Sequence, residues 1–371
     1  MSETAQNKPC IAVVFGGKSG EHEVSLESAT SVLRALNKDK YTILPLLIAK
    51  DGKWYVGESD VSIETIAKNE RRLSADAKNY LSHLDGSIAE RIDVLFPLVH
   101  GTGGEDGALQ GLFELIGVPY VGSGILGSSV GMDKVAQKHI LKSAGISVVP
   151  WVSFSNHTWK VREKQLVATI EEELTYPVFV KPANLGSSVG ITKAHNRIEL
   201  IEGITLALSF DTKALVEWAV PKAREIECAG LGNHEVEISE CGEIFPSNEF
   251  YDYAAKYIDG ETKTAIPAKI SVDTRKKIHA LARHAYTVLS TEGMARIDFL
   301  ISGETEDIYL NEVNTLPGFT GISMYPKLWE ASGIPYTALL DRLIMLAFAR
   351  NKERQELQRD FSAHVDKLKQ L

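Results

Sequence analysis

Ala295-Arg-Ile-Asp-Phe-Leu-Ile301, the polar segment Ser302-Gly-Glu-Thr-Glu-Asp307 and Ile308-Tyr-Leu-Asn-Glu-Val-Asn-Thr-Leu-Pro-Gly318 follow one another without a break. Side chains alternate faces along a strand, so Arg296 and Asp298 share one face of the first run, and Glu312 and Asn314 share one face of the second. The polar segment between the runs predicts a hairpin. With 298 opposite 312, position 296 lies opposite 314, and three oxygen ligands and one guanidinium converge on a single patch. Ile297, Phe299, Ile301 and Val313 then face the other way, into a core. Two carboxylates and an amide suit a hard ion, and so few protein ligands beside a basic residue suit magnesium carrying a phosphate substrate. Taken by themselves, the same residues also read as a solvated polar face on an edge hairpin.

The chain around this hairpin has 371 residues, too many for one ordinary core, so two or three domains are expected. A net charge of -9 and a pI near 5.7 argue against nucleic acid as a partner, because phosphate backbones demand a basic surface. Residues 1–9 lack an apolar signal core, and no run is long enough to cross a bilayer. A cytoplasmic protein without a membrane partner is expected. Cys10, Cys228 and Cys241 fit neither a disulfide framework nor a CxxC metal pair and read as reduced and structural.

Towards the N-terminus, the apolar run Ile11–Phe15, the glycine turn Gly16-Gly-Lys-Ser-Gly20 and a helical pattern from Val24 to Leu36 open an α/β sheet. Further strands are predicted at Tyr41–Ile48 and Ile92–Leu98, the latter leading into His100-Gly-Thr-Gly-Gly-Glu-Asp-Gly107 and a helix over Leu109–Ile116. The expectation is a Rossmann-like first domain. Residues 16–21 read G-G-K-S-G-E where a dinucleotide fingerprint would read GxGxxG, which argues against a nicotinamide dehydrogenase. The glycine-rich stretch Val118–Gly124 marks a boundary, and a helix begins at Asp133. Strands at Pro177–Lys181 and Ala214–Glu217 are separated by Pro182-Ala-Asn-Leu-Gly-Ser-Ser-Val-Gly190 and a helix over Ile198–Leu208. Glycines and hydroxyls after a strand lysine suit a mobile phosphate cover whose amides point at anionic oxygens, and they suit an ordinary hairpin turn as well. Beyond Arg224 come strands at Glu225–Leu231, Glu235–Ser239 and Phe245–Phe250, a helix over Thr274–Leu289, and the hairpin. That order of strands and packed helices is α+β. A helix over Ala338–Phe348 follows, and the charged end after Arg350 is expected to be helical and largely solvated.

Four motifs in order, G-G-x-S-x-E-H-E-V-S at Gly16–Ser25, H-G-x-x-G-E-D-G at His100–Gly107, V-K-P-x-x-x-G-S-S-V-G at Val180–Gly190 and E-V-N-T-L-P-G at Glu312–Gly318, resemble the D-alanine:D-alanine ligases of the ATP-grasp superfamily. Only about Val56–Arg91 and the tail after Arg350 carry no signature of that family. The resemblance implies a multidomain ATP-grasp fold: a Rossmann-like domain over residues 1–122 on the side of the first D-alanine, a central domain over 123–219 with the glycine-serine phosphate loop, and a C-terminal domain over 220–371 with the magnesium and second D-alanine sites. It implies ATP as co-substrate, two magnesium ions, with manganese able to replace them, and a homodimer.

By the same resemblance Lys134, Lys181 and Lys256 face the triphosphate together with Ser188, while Asp298, Glu312 and Asn314 hold the magnesium ions. Glu217 and Val220 lie at the adenine and Glu225 at the ribose, although about one extra residue at Pro221-Lys222 alters the family spacing there. Glu21 takes the ammonium of the first D-alanine, and Ser187 and Tyr257 hydrogen-bond with it and close the site. His100 lies near the first carboxylate, or caps a strand end. Ser323 and Met324 meet the second D-alanine, and Arg296 with the Gly318 amide binds charge on the tetrahedral intermediate. No Ser-His-Asp or Cys-His arrangement suggests a covalent enzyme intermediate. Two other readings are a ligase taking D-lactate or D-serine as its second substrate and a catalytically idle ATP-binding domain. The idle form is disfavoured by Glu21, Arg296 and Ser323, for which a nucleotide sensor has no use.

Overall fold

The computed structural model describes residues 8–57, 73–75, 80–83, 88–245 and 263–358. Strand β1 (Cys10–Gly16) is buried at every position, as a continuous apolar run at the centre of a sheet should be. It pairs in parallel with β2 (Thr42–Ile48), which β3 (Trp54–Val56) flanks in antiparallel fashion. Strands β4 (Leu73–Ala75), β5 (Tyr80–His83) and β6 (Ile88–Arg91) form a separate antiparallel meander in the segment without a family signature. The other neighbour of β1 is the parallel strand β7 (Val94–Pro97), so the main sheet runs β3-β2-β1-β7. Ile11, Val13 and Phe15 join one core with Ala29 and Val32 of the helix His22–Ala35, while Ala12 and Val14 join another with Leu109 and Phe113 of the helix Ala108–Ile116. At Gly16 (φ 91) a Cβ would stand 2.2 Å from the Ile48 carbonyl, so only glycine lets the chain turn out of β1 here.

The second sheet is antiparallel throughout, in the order β10-β9-β11-β8, from β8 (Trp151–Ser155), β9 (Val178–Pro182), β10 (Thr192–Ala194) and β11 (Lys213–Trp218). Helices Asn156–Glu173 and Arg197–Phe210 cover it. The first of these, like β8, escapes the sequence reading because it buries only Trp159, Val167 and Ile170 and so shows little apolar periodicity.

The third sheet comprises β12 (Arg224–Gly232), β13 (Glu237–Ile238), β14 (Gly242–Phe245), β15 (Lys263–Ala265), β16 (Gly293–Ile301) and β17 (Ile308–Asn314), in the order β15-β14-β12-β16-β17 with β13 on β12. Part of the strand predicted at Phe245–Phe250 lies outside the described residues. Helix Val272–Val288 packs on one face, and helices Met324–Ala331 and Tyr336–Gln355 pack on the other. The β16/β17 hairpin has the expected register, Arg296 opposite Asn314 and Asp298 opposite Glu312, and Ile297, Phe299 and Val313 are buried beneath it. A bulge after Asp298 skips Asn311. At the open edge of β17 the buried Gln137 side chain replaces a strand: its Oε1 accepts from Val313 N at 2.9 Å and its Nε2 donates to Val313 O at 3.1 Å.

The last helix is anchored just before its charged end. Arg350 is buried, donates to the Tyr120 carbonyl at 2.7 Å and to that of Gly122, and lies over the Tyr120 ring. Arg354 pairs with Glu114 and Glu292. Beyond Arg350 the described residues continue the helix to Gln355 and are mostly exposed, as expected, with Arg354 as a tie to Glu114 of the helix Ala108–Ile116. No described helix is long and apolar enough to cross a membrane.

Candidate active site

A cleft of about 500 Å³ lies where the three sheets approach one another. Every predicted site residue within the described segments lines it: Glu21, His100, Lys134, Lys181, Ser187, Ser188, Glu217, Val220, Glu225, Arg296, Asp298, Glu312, Asn314, Gly318, Ser323 and Met324. Lys256 and Tyr257 lie outside the described residues.

The first motif builds one wall. Ser25 Oγ accepts from Gly16 N at 2.7 Å and donates to Leu98 O at 2.6 Å, which pins the end of β1 to the segment after β7. Helix His22–Ala35 starts immediately after Glu21, whose nearly buried carboxylate accepts from the Ser187 hydroxyl. His100 is buried with Nε2 3.0 Å from Ser28 Oγ and Nδ1 3.4 Å from Glu105 Oε1. Burial disfavours its imidazolium, but Glu105 and then Glu21 outweigh burial and raise its pKa. Ser28 Oγ also accepts from Phe319 N at 3.3 Å, so one hydroxyl joins the His100 turn to the loop after β17.

Loop 183–191 connects the paired strands β9 and β10, so it is a hairpin tip as well as a cover over the cleft. Ser187 (φ 50) and Ser188 (φ 59) are both left-handed, a conformation that costs a serine free energy and that the surrounding contacts must hold. A Cβ at Gly186 would lie 3.1 Å from the Glu21 carboxylate, so glycine gives that acid its place beneath the loop.

The cations come next. Asp133 caps helix Lys134–Ser143 by accepting from Val135 N and Ala136 N. Lys134 Nζ donates to Leu185 O at 2.7 Å and stands 3.6 Å from Glu312 Oε2. Lys181 Nζ lies 2.5 Å from Glu217 Oε2, and the other carboxylate oxygen lies 2.7 Å from Lys138 Nζ. Burial pushes the Glu217 carboxyl up, and the two ammonium groups more than reverse this, holding it at about 2. Phe179 has the ammonium groups of Lys181 and Lys193 each 5.8 Å from its ring centroid. Pro221-Lys222 forms a left-handed turn (Lys222 φ 47) against the β16/β17 turn, with Gly303 N donating to Pro221 O at 3.2 Å.

On the hairpin, Arg296 clasps Asp298 with both forks (Nε to Oδ1 2.8 Å, Nη2 to Oδ2 2.7 Å) and lies 3.3 Å from Glu227 Oε1. Burial opposes the charge on Arg296, but Asp298 and Glu227 hold its pKa well above the usual range. Among the described residues no three His, Cys, Asp or Glu side chains form a metal-holding group. The donors available are the oxygens of Asp298, Glu312 and Asn314, a set whose chemistry fits a hard cation that takes its other ligands from a phosphate. Beyond β17, a Cβ at Gly318 would come 2.8 Å from Ser323 Oγ. That hydroxyl lies 2.8 Å from Thr320 Oγ1 and accepts from Thr320 N, so it does not cap helix Met324–Ala331, which it precedes.

Residues 10–123 match the family described as the D-ala D-ala ligase N-terminus, and residues 140–345 match the D-ala D-ala ligase C-terminus. The chain belongs to the D-alanine–D-alanine ligase family. It is 48% identical over 360 residues to a protein from Natranaerobius thermophilus named D-alanine–D-alanine ligase, a match covering 95% of this chain and 98% of that one. The structure of the D-alanine–D-alanine ligase from Coxiella burnetii superposes with a TM-score of 0.82 at 36% identity, over 94% of this chain and 98% of that one. The VanG D-Ala:D-Ser ligase from Enterococcus faecalis gives a TM-score of 0.82 at 37% identity, over 92% of this chain and 100% of that one.

Within this ligase frame the sequence reading missed Glu227, which lines the cleft, and Lys138, Ser28 and Gln137, which support it from behind. For Lys138 a signal existed, since it stands four residues after Lys134 and so on the same helix face. Glu227 shares the parity of Glu225 along β12, which places both towards the cleft.

Proposed function

We propose that this chain joins two D-alanine molecules to D-alanyl-D-alanine, with conversion of ATP to ADP and phosphate, and so makes a peptidoglycan precursor. The observation that carries this reading is the meeting of three unlike groups in one cleft of a D-alanine–D-alanine ligase fold: the Glu21–Ser187 pair, the Lys134 and Lys181 cations, and the Arg296–Asp298–Glu312 face with Ser323 beside it.

Glu21 holds the ammonium of the first D-alanine by opposite charge, and His100 lies near its carboxylate. That carboxylate oxygen attacks the γ-phosphorus of ATP, the bond to the β-phosphate oxygen breaks, and ADP departs, leaving D-alanyl phosphate. Lys134 and Lys181, with Lys256, neutralise the triphosphate; Ser188 adds a hydroxyl at the phosphates. Asp298, Glu312 and Asn314 would hold two magnesium ions, or manganese in their place, which when bound cancel charge on the phosphate oxygens. Glu217 and Val220 accept adenine and Glu225 the ribose.

The second D-alanine is gripped through its carboxylate by the Ser323 hydroxyl and by the uncapped amides at Met324, where the positive end of the helix favours an anion. Its amine, once neutral, attacks the acyl carbon; Arg296 and the Gly318 amide stabilise the oxyanion, and phosphate leaves as the amide forms. The Ser187 loop, with Tyr257, excludes water that would hydrolyse the acyl phosphate. A cytoplasmic homodimer is part of this proposal.

The test is phosphate release from ATP with D-alanine alone and with equal D-serine or D-lactate, followed by product analysis. D-Alanyl-D-alanine is the expected dominant product. Dominant D-alanyl-D-serine or D-alanyl-D-lactate would overturn the second-substrate assignment, and ATP binding without phosphate release would overturn the ligase reading.

A further inference from the structure

Glu227 is a buried carboxylate in the cleft to which neither the family motifs nor the proposed reaction gives a task. Its position follows from register. Glu227 stands opposite Asp298 across β12 and β16, and Asp298 stands opposite Glu312 across β16 and β17, so three carboxylates lie in one cross-strand row. Like charges directly opposite one another repel; Lys134 stands 3.6 Å from Glu312, and the Arg296 guanidinium relieves the repulsion between Asp298 and Glu227. Arg296 spends both forks on Asp298, and its Nε is 3.3 Å from Glu227 Oε1. The proposed reaction asks two incompatible things of this arrangement. Asp298 must turn its oxygens to a divalent cation, which a guanidinium on the same carboxylate opposes, and Arg296 must stay charged, largely out of solvent and aimed at the reacting carbonyl. A guanidinium held largely out of solvent that loses its carboxylate without finding another is costly.

We propose that Glu227 is a positioning residue that receives the Arg296 guanidinium when Asp298 turns to a divalent cation, keeping Arg296 in the cleft. The exchange requires only that Nε rotate from one neighbouring carboxylate to the next. This inference rests on the assignment of Asp298 as a metal ligand.

The experiment is a double-mutant cycle read by direct binding rather than turnover. Manganese is titrated into the full chain with a saturating non-hydrolysable ATP analogue, and free manganese is measured by electron paramagnetic resonance, for wild type, Glu227→Gln, Arg296→Met and the double variant. Glu227→Gln alone is expected to weaken manganese binding about tenfold, the size of a coupling between neighbouring groups, because Arg296 then has only a neutral amide in place of a second carboxylate and holds Asp298. In the R296M background the same change is expected to shift binding by less than about twofold. Weakening by the same factor in both backgrounds would reduce Glu227 to a plain charge effect, and no weakening in either would remove it; both outcomes overturn the proposal and leave the ligase reading standing. Absence of manganese binding by the wild-type complex would overturn the metal assignment and this inference with it. Should R296M not yield folded protein, R296K completes the cycle with the same expectation, since a lone ammonium lacks the fork that spans Asp298 and Glu227.

Discussion

Ser323 and Glu217 show two ways in which a side chain can be committed before any substrate arrives. The Ser323 hydroxyl is held by Thr320 and kept clear by the absence of a side chain at Gly318. Ser323→Ala is therefore expected to raise KM for the second D-alanine by one to two orders of magnitude, the equivalent of about 1.5 to 3 kcal/mol for a hydrogen bond to a charged group, with KM for ATP nearly unchanged. Steady-state kinetics with each substrate varied in turn checks this, and equal effects on both would separate Ser323 from the second subsite. Glu217 is instead committed by charge. Its folded pKa of about 2 lies below its ordinary value of 4.5, so its stabilising contribution is complete above 4.5 and is lost as pH falls towards 2. The melting temperature of the wild type should drop through that window, and Glu217→Gln, less stable at neutral pH because buried Lys138 and part-buried Lys181 lose their partner, should lack that part of the slope. Of these commitments the sequence carries the partners close in chain or in parity, such as Arg296 with Asp298. Lys138 with Glu217 is hidden, because nothing local relates a residue on a helix to a strand end so far along the chain.

The β16/β17 hairpin is the element that alternation alone reveals. Its polar face and its apolar face are set by the same period, and strand pairing holds them in register through Glu312 despite the bulge after Asp298. Because the apolar face carries the packing, Glu312→Gln is expected to leave the melting temperature within a few degrees of wild type while turnover falls by about two orders of magnitude or more. Near-normal turnover at modest magnesium concentration would remove Glu312 from the cation site. The glycine-serine loop is legible as a turn, and the structure makes it a hairpin tip that lines the cleft; its role as a phosphate cover belongs to the proposed reaction. Its two left-handed serines were not legible, since neither residue prefers that conformation and only the closure between β9 and β10 imposes it. Helix Asn156–Glu173 and the strand before it were missed for the opposite reason: so little of their surface is buried that periodicity leaves no trace.

At the scale of the whole molecule, the parts are locked together by a few long-range polar contacts. Arg350 reaches from the last helix to the carbonyls of Tyr120 and Gly122 at the end of the first sheet's segment. Arg350→Met is expected to lower stability by about 3 kcal/mol, since two buried carbonyls lose a charged donor, and urea unfolding monitored by circular dichroism checks it. A midpoint equal to that of the wild type would show the clamp to be without weight. This clamp could not be read from sequence, where a late arginine in a charged helix looks solvated. Gln137 is a lock of the same kind with a different outcome. Its amide closes both backbone groups of Val313 and so ties the helix that begins at Lys134 directly to the strand that carries Glu312 and Asn314. Lys134 Nζ and Glu312 Oε2, 3.6 Å apart, thus sit on two elements stapled together by one amide, so a change in the gap between them falls first to rotation of the two side chains and only then to the backbone.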